Sequence, residues 1–170
     1  APRPACRVAP HRKPHQGSPE HLLKANIFFD FRPLFGKPAR ADALWGAIAG
    51  NTIRNARFLH QMTANALLNR PPLGLVSDFQ LSTSADHPHT LDLKLQGCSP
   101  LVDGARVIAL RHGIRETNTG DRLRAAMTMG TLPAAEAEAW AETFDFLLLL
   151  RMRLHRRQAH QGLELGNHLD

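Results

Sequence analysis

The residues that could do chemistry fall into a few groups. The first is Arg151 and His155, four residues apart in a strongly helical stretch. At about 100° per residue they share a stripe with Trp140, Phe144, Leu147, Leu154 and Gln158, while Arg153 and Arg157 point elsewhere. A guanidinium on a core-facing stripe must find a partner, because desolvating it alone costs several kcal/mol. Either Arg151 reaches the bundle rim or a core carboxylate, or Arg151 and His155 line a cleft for an anion such as phosphate. The second group is Thr117-Asn118-Thr119 at a helix start, with Arg122 one turn in. Free backbone N–H groups and the positive end of the helix dipole there could bind phosphate, or the triplet is an ordinary cap. The third is Asp92 and Lys94 on the polar side of an alternating stretch, where a solvated strand face is the simpler reading.

Other chemistries find no support in the spacing. His11 and His15, His87 and His89, and His155 and His160 have no local Cys or Asp partners that would complete a tetrahedral site, so no metal is expected. There is no glycine-rich phosphate loop and no Gly-x-Ser-x-Gly. No two aspartates stand two residues apart, so the close carboxylates that hold divalent ions in nucleotidyl transfer are missing.

These groups must be held by a fold that reads as mainly α: an up-and-down bundle with one β-hairpin insertion. Residues 1–17 contain four prolines and no apolar cluster, and read as a disordered basic tail. Ser18-Pro19-Glu20 is a helix start, and the run through Leu22, Leu23 and Ile27 to Phe31 is expected to be helical until Pro33, or else to end in a short buried strand over Ile27 to Arg32, because aromatic runs favour sheets. Residues 39–49 predict a short helix ended by Gly50, with Asn51 or Thr52 capping the next, over 53–69. Phe79-Gln80-Leu81 and Leu91-Asp92-Leu93-Lys94-Leu95 alternate apolar and polar, which predicts a hairpin around the loop 82–89. Ser99-Pro100 starts a helix closed by Gly113, and Thr117-Asn118-Thr119 starts another that ends at Gly130. The longest helix runs from near Pro133 to about Gln161. Its apolar centre predicts a place in the middle of the bundle.

The chain has 170 residues, 43% hydrophobic and 21% charged, enough for a core and unlike a disordered chain. Its net charge of +6 is local. Residues 1–17 contribute four basic side chains and residues 151–157 another four, leaving a nearly neutral body. Neither run carries an aromatic, so nucleic acid is not the expected partner. No apolar run approaches a membrane span. Two cysteines, Cys6 and Cys98, without a signal peptide point to the cytoplasm.

Several segments together carry a resemblance. Ile27-Phe28-Phe29-Asp30-Phe31-Arg32-Pro33-Leu34-Phe35-Gly36 resembles the closing segment of a bacterial nucleotidyltransferase-like domain. Asn69-Arg70-Pro71-Pro72-Leu73-Gly74, Leu91-Asp92-Leu93-Lys94 with Gly97 and Pro100, Val102-Asp103 with Ala105-Arg106, and Thr117-Asn118-Thr119 with Arg122-Leu123 resemble the nucleotidyltransferase substrate-binding domain that follows it. Members of that family are signal-transduction proteins, often with cyclic-nucleotide-binding and CBS domains upstream, and their transferase part is similar to protein-PII uridylyltransferases.

The resemblance implies a remnant of the transferase domain over 18–50 and a helical substrate-binding domain over 51–170. The family's Gly-Ser turn with an Asp-x-Asp pair is absent here, so the chain is expected to be a piece of a larger protein, cut at its C-terminus as well. Magnesium and a nucleoside triphosphate are implied only for the missing transferase domain. The implied partners are that domain, the upstream sensor domains and a protein acceptor. Asp30 is the one acid of the remnant that could approach a transfer site, and Arg32 could touch phosphate; alternatively both hold the interdomain junction. A competing reading is a stand-alone interaction module presenting Phe28, Phe29, Phe31 and Phe35 to a partner.

Overall fold

The computed structural model describes residues 29–73 and 79–170. The expected tail over 1–17 and the helix from Ser18 as far as Phe28 lie outside the described residues. At the described end of that segment, Phe29 and Asp30 form a turn, and no helix reaches Phe31.

Five α-helices build the body. Helix α1 spans Pro38–Thr52, with proline at its first turn. It runs through Gly50, which sequence reading makes its end; the helix stops instead where Asn55 caps the next one. Helix α2 spans Ala56–Ala66, and the Asn55 side chain accepts a hydrogen bond from the Phe58 N–H at 3.0 Å. Helix α3 spans Ser99–His112, α4 spans Thr119–Thr128 and α5 spans Ala134–His160.

The small antiparallel pair is present with a different partner from the expected one. Strand β1, Leu91–Asp92, pairs with strand β2, His168–Leu169, and not with Phe79–Leu81. The loop between is closed at its neck by two hydrogen bonds. The Ser82 N–H donates to the Thr90 carbonyl at 2.8 Å, and the His89 N–H to the Ser82 carbonyl at 2.8 Å. The alternating stretch does not continue as a strand, because Leu93–Cys98 forms a π-helix that leads directly into α3. The physical reason is Asp92: one carboxylate oxygen accepts from the N–H groups of Lys94 at 2.9 Å and Leu95 at 2.8 Å, which starts a helical turn. Ser99, expected as the cap, lies inside this composite helix and donates its hydroxyl to the Lys94 carbonyl at 2.9 Å.

The core has two parts that meet at α3. Ala105 and Ala109 pack with Ile114, Leu123, Ala126, Leu132 and Ala137, against α4 and α5. Leu110 packs with Phe29, Trp45 and Met62, against α1, α2 and the entering chain. So α3 is the central helix, and the longest helix is not. Helix α5 packs mainly on α4 and the π-helix, and leaves Phe146, Leu149 and Met152 largely exposed. Apolar character all round a helix implies burial only if neighbours exist on every side. The expected inward stripe of α5 does hold: Leu154 is buried, and Trp140, Phe144, Leu147, Arg151, His155 and Gln158 are half-buried.

Of the phenylalanines that the interaction-module reading presents to a partner, Phe29 is buried, its ring set edge-on to Phe58 at 5.8 Å, Phe31 is half-buried against Trp45, and Phe35 is exposed. Phe28 lies outside the described residues.

Helix α3 ends at Gly113 with φ +69°, and a Cβ there would meet the Ile53 Cδ1 at 3.3 Å. Gly113→Ala is therefore expected to destabilise the fold by about 1 kcal/mol or more, read as a lower melting temperature in a thermal unfolding scan.

Candidate functional site

The entering chain is fixed to the helical body by one side chain. Asp30 offers both carboxylate oxygens to α3 and α4. Arg106 on α3 donates Nη2 to Asp30 Oδ2 at 2.7 Å, and Arg122 on α4 donates Nη2 to Asp30 Oδ1. Arg122 is 2% exposed, and its Nε also donates to the Glu116 carbonyl at 2.7 Å. Arg106 spends its other Nη on Asp103, one helical turn back, at 2.8 Å. Two guanidiniums and two carboxylates thus make a neutral cluster, the condition under which buried charge is tolerated. The Arg106 Nε is buried without a hydrogen-bond partner.

Titration follows from this geometry. Burial pushes the Asp30 carboxyl up, but the hydrogen bonds and charges of Arg106 and Arg122 outweigh it and hold it below the usual carboxylate range. Asp103 goes the other way: burial raises it, and its single guanidinium partner does not compensate, with Asp30 as a like-charged neighbour adding to the rise.

Beside this cluster lies an open cleft of about 360 Å³. Its walls are Phe31, Arg32 and Pro33 of the entering chain, Asp42 and Trp45 of α1, and Arg115 to Asn118 with Asp121 before and within α4. Arg115 pairs with Asp42 across it. Asn118 is the cap of α4, its side chain accepting from the Asp121 N–H at 3.2 Å. Thr119 is buried, whereas Arg32, Thr117 and Asn118 are exposed at the rim. The structure therefore brings together Asp30, Arg32, Thr117, Asn118, Thr119 and Arg122.

The remaining candidates form a second group. Arg151 donates Nε and Nη2 to the Asn167 side-chain oxygen at 3.1 and 2.9 Å. Its partner is thus a carboxamide near the end of the chain, neither a core carboxylate nor a free anion site. The His155 Nε2 is buried without a partner. Asp92 is half-buried as the π-helix cap, so it does not lie on a solvated strand face; Lys94 is exposed. Cys98 is a free, buried thiol whose pKa is raised by burial, against the charge of Arg151. His168 stacks on His87 with ring centroids 3.6 Å apart and accepts or donates to the Thr90 hydroxyl at 3.3 Å. A broad cleft of about 730 Å³ nearby is lined by Asn69 to Pro72, Gln80 to Ser84, Asp92 and Gln96.

Sequence reading passed over Arg106 and Asp103 as site residues. The available signal was an acid and a base three apart, with the base next to Ala105 and on the face of Ala109. Arg115 and Asp42, 73 residues apart, left no such signal.

Among the described residues, no three of His, Cys, Asp and Glu converge as a metal site. No helix among them is long and apolar enough to cross a membrane. Asp30 in particular does not fit magnesium: both oxygens are taken by guanidiniums, whose charge repels a cation.

A family profile described as "putative nucleotidyltransferase substrate binding domain" matches residues 56–170, more than half of the chain. The chain belongs to this family. The matched span contains Arg106, Arg122 and the rim residues Arg115 to Thr119, while Asp30 and Arg32 reach the substrate-binding domain from outside it. No curated protein and no solved structure matches the chain.

The Asp30 bridge has a pH signature. A carboxylate whose folded pKa is depressed gives stability that is complete above its unfolded value, about 3.9, and is lost as pH falls through the folded value. Asp103, with a raised pKa, gives the opposite slope. Asp30→Asn should remove the acid-side loss due to Asp30, so that the urea midpoint changes less than the parent's between about pH 6 and about pH 3. At neutral pH the same variant should lose about 2 kcal/mol or more, below the figure for a fully buried pair because Asp30 is partly exposed.

Proposed function

We propose that this chain is the substrate-binding helical part of a nucleotidyltransferase-like signal-transduction protein, similar to the protein-PII uridylyltransferases, and that its cleft receives a polypeptide acceptor. In this reading residues 18–50 are the closing segment of a transferase domain that supplies the metal-held nucleoside triphosphate. Cyclic-nucleotide-binding and CBS domains lie upstream of it, and the whole protein works in the cytoplasm.

The observation that carries this reading is the anchoring of the entering chain. Phe29 sits in the core and Asp30 bridges two helices, so the chain is anchored at residues 29 and 30, beside the cleft. Fixed placement of an acceptor against a reacting group is worth several kcal/mol of a transfer barrier. The charge of the cleft favours a peptide over a bare triphosphate. Arg32 and Arg115 face Asp42, Glu116 and Asp121, so the lining carries both signs. A triphosphate would meet three carboxylates there. A peptide segment offers backbone donors and acceptors and side chains of either charge.

The chemistry divides accordingly. Magnesium and the triphosphate belong to the preceding domain, where the metal would stabilise charge on the phosphates. Arg32, Thr117 and Asn118 bind and orient the acceptor, and Asp30 with Arg106 and Arg122 keeps the rim in register as positioning residues.

The test is a KM split in the longer protein that contains the transferase domain. Arg32→Glu should raise the KM for the protein acceptor by about tenfold, the size of one charge-assisted hydrogen bond, with the KM for nucleotide unchanged. A rise in the nucleotide KM instead would reassign the cleft to the triphosphate. Calorimetric titration of the 170-residue chain with magnesium and a nucleoside triphosphate should give a flat trace.

A further inference from the structure

Helix α5 carries a face with no neighbour among the described residues. Phe146 is 59% exposed, Leu149 46% and Met152 69%. Single exposed apolar side chains are common on protein surfaces. What distinguishes these is their arrangement with the charges on either side. Glu138, Glu142 and Asp145 precede them, and Arg153, Arg156 and His160 follow, all exposed. At about 100° per residue, every one of these lies within about 60° of Leu149. None of the charged members is in an ion pair among the described residues.

The order is symmetric about Leu149. Three residues either side stand Phe146 and Met152; four either side, Asp145 and Arg153; seven either side, Glu142 and Arg156; eleven either side, Glu138 and His160. Offsets of three, four, seven and eleven keep to one face of a helix. Each acid thus has a base at its mirror position, and each large apolar residue has another.

We propose that this face is a self-complementary surface, on which two copies of the chain pair α5 against α5, antiparallel, about a two-fold axis at Leu149. A two-fold interface sets residue i of one protomer against j of its partner, and j against i. Here Leu149 meets Leu149, Phe146 meets Met152 in a sulfur–aromatic contact, and the acidic half of each helix meets the basic half of the other. Spacings of three and four suit the shallow crossing of packed helix pairs. A parallel pair would set acid on acid and base on base, so the charges select the antiparallel arrangement. The surface is separate from the cleft and independent of what the cleft binds.

Sedimentation equilibrium of the full chain tests this, from low micromolar to near-millimolar concentration. The parent should show a reversible monomer–dimer equilibrium, weakened by high salt. Leu149→Glu sets two carboxylates on the axis and should leave monomer only, with unchanged far-UV circular dichroism because the residue is exposed. Glu142→Arg alone and Arg156→Glu alone should each weaken the dimer about tenfold. The two together should restore it. Residues 142 and 156 lie about 21 Å apart along one helix, so rescue can arise only between protomers in antiparallel register. A chain that stays monomeric at every concentration would overturn the proposal, as would a dimer indifferent to Leu149→Glu. A double exchange that fails to rescue would overturn the register.

Discussion

The fold depends on a single carboxylate shared by two buried guanidiniums. Arg122 is almost fully enclosed, and Arg106 nearly so. Either charge alone would cost several kcal/mol to bury. Neither has a partner within its own helix that could neutralise both, since Asp103 serves only Arg106. The missing charge comes from Asp30, 76 residues away from Arg106 along the chain. The helical core and the segment that enters it are therefore one electrostatic unit. The family match begins at residue 56, yet the matched helices hold a charge whose counterion lies before it.

This coupling shapes the neighbouring cleft. Arg32 and Pro33 form one wall because Asp30 and Phe29, just before them, are fixed to α3, α4 and the core. The opposite wall, Arg115 to Asn118, is the connection between the same two helices. Both walls thus hang on the same pair of arginines. An open surface cleft gains a defined shape in this way without a large apolar lining of its own.

Local signals in the sequence were legible where one residue decides the local structure. Gly113 and Asn118 closed and opened helices as their chemistry requires, and the inward stripe of α5 followed from its spacing. The errors share a cause. Leu93-Lys94-Leu95 has the period of a strand, but the side chain of Asp92 caps the backbone beyond it and turns the segment into a helix. Trp140 to Leu154 reads as the most buried helix, yet burial depends on neighbours, and α3 holds that place. In the site, Asp30 and Arg122 could be singled out as residues, but their contact could not, because no periodicity links positions about ninety apart. Arg151 showed its need for a partner; that the partner is Asn167 depends on how the chain returns.

That return has a consequence for how the molecule is made. Strand β1 and its neck loop are completed by His168 and Leu169, and the Arg151 guanidinium is held by Asn167. Pairings between such distant stretches form slowly, since a long loop must close before any contact rewards it. As synthesis runs from the N-terminus, α1 to α4 can assemble on emerging from the ribosome. The region around Asp92 cannot reach its final form until residues 167–169 have emerged as well. Until then a growing chain holds an assembled helical half beside an unfinished one.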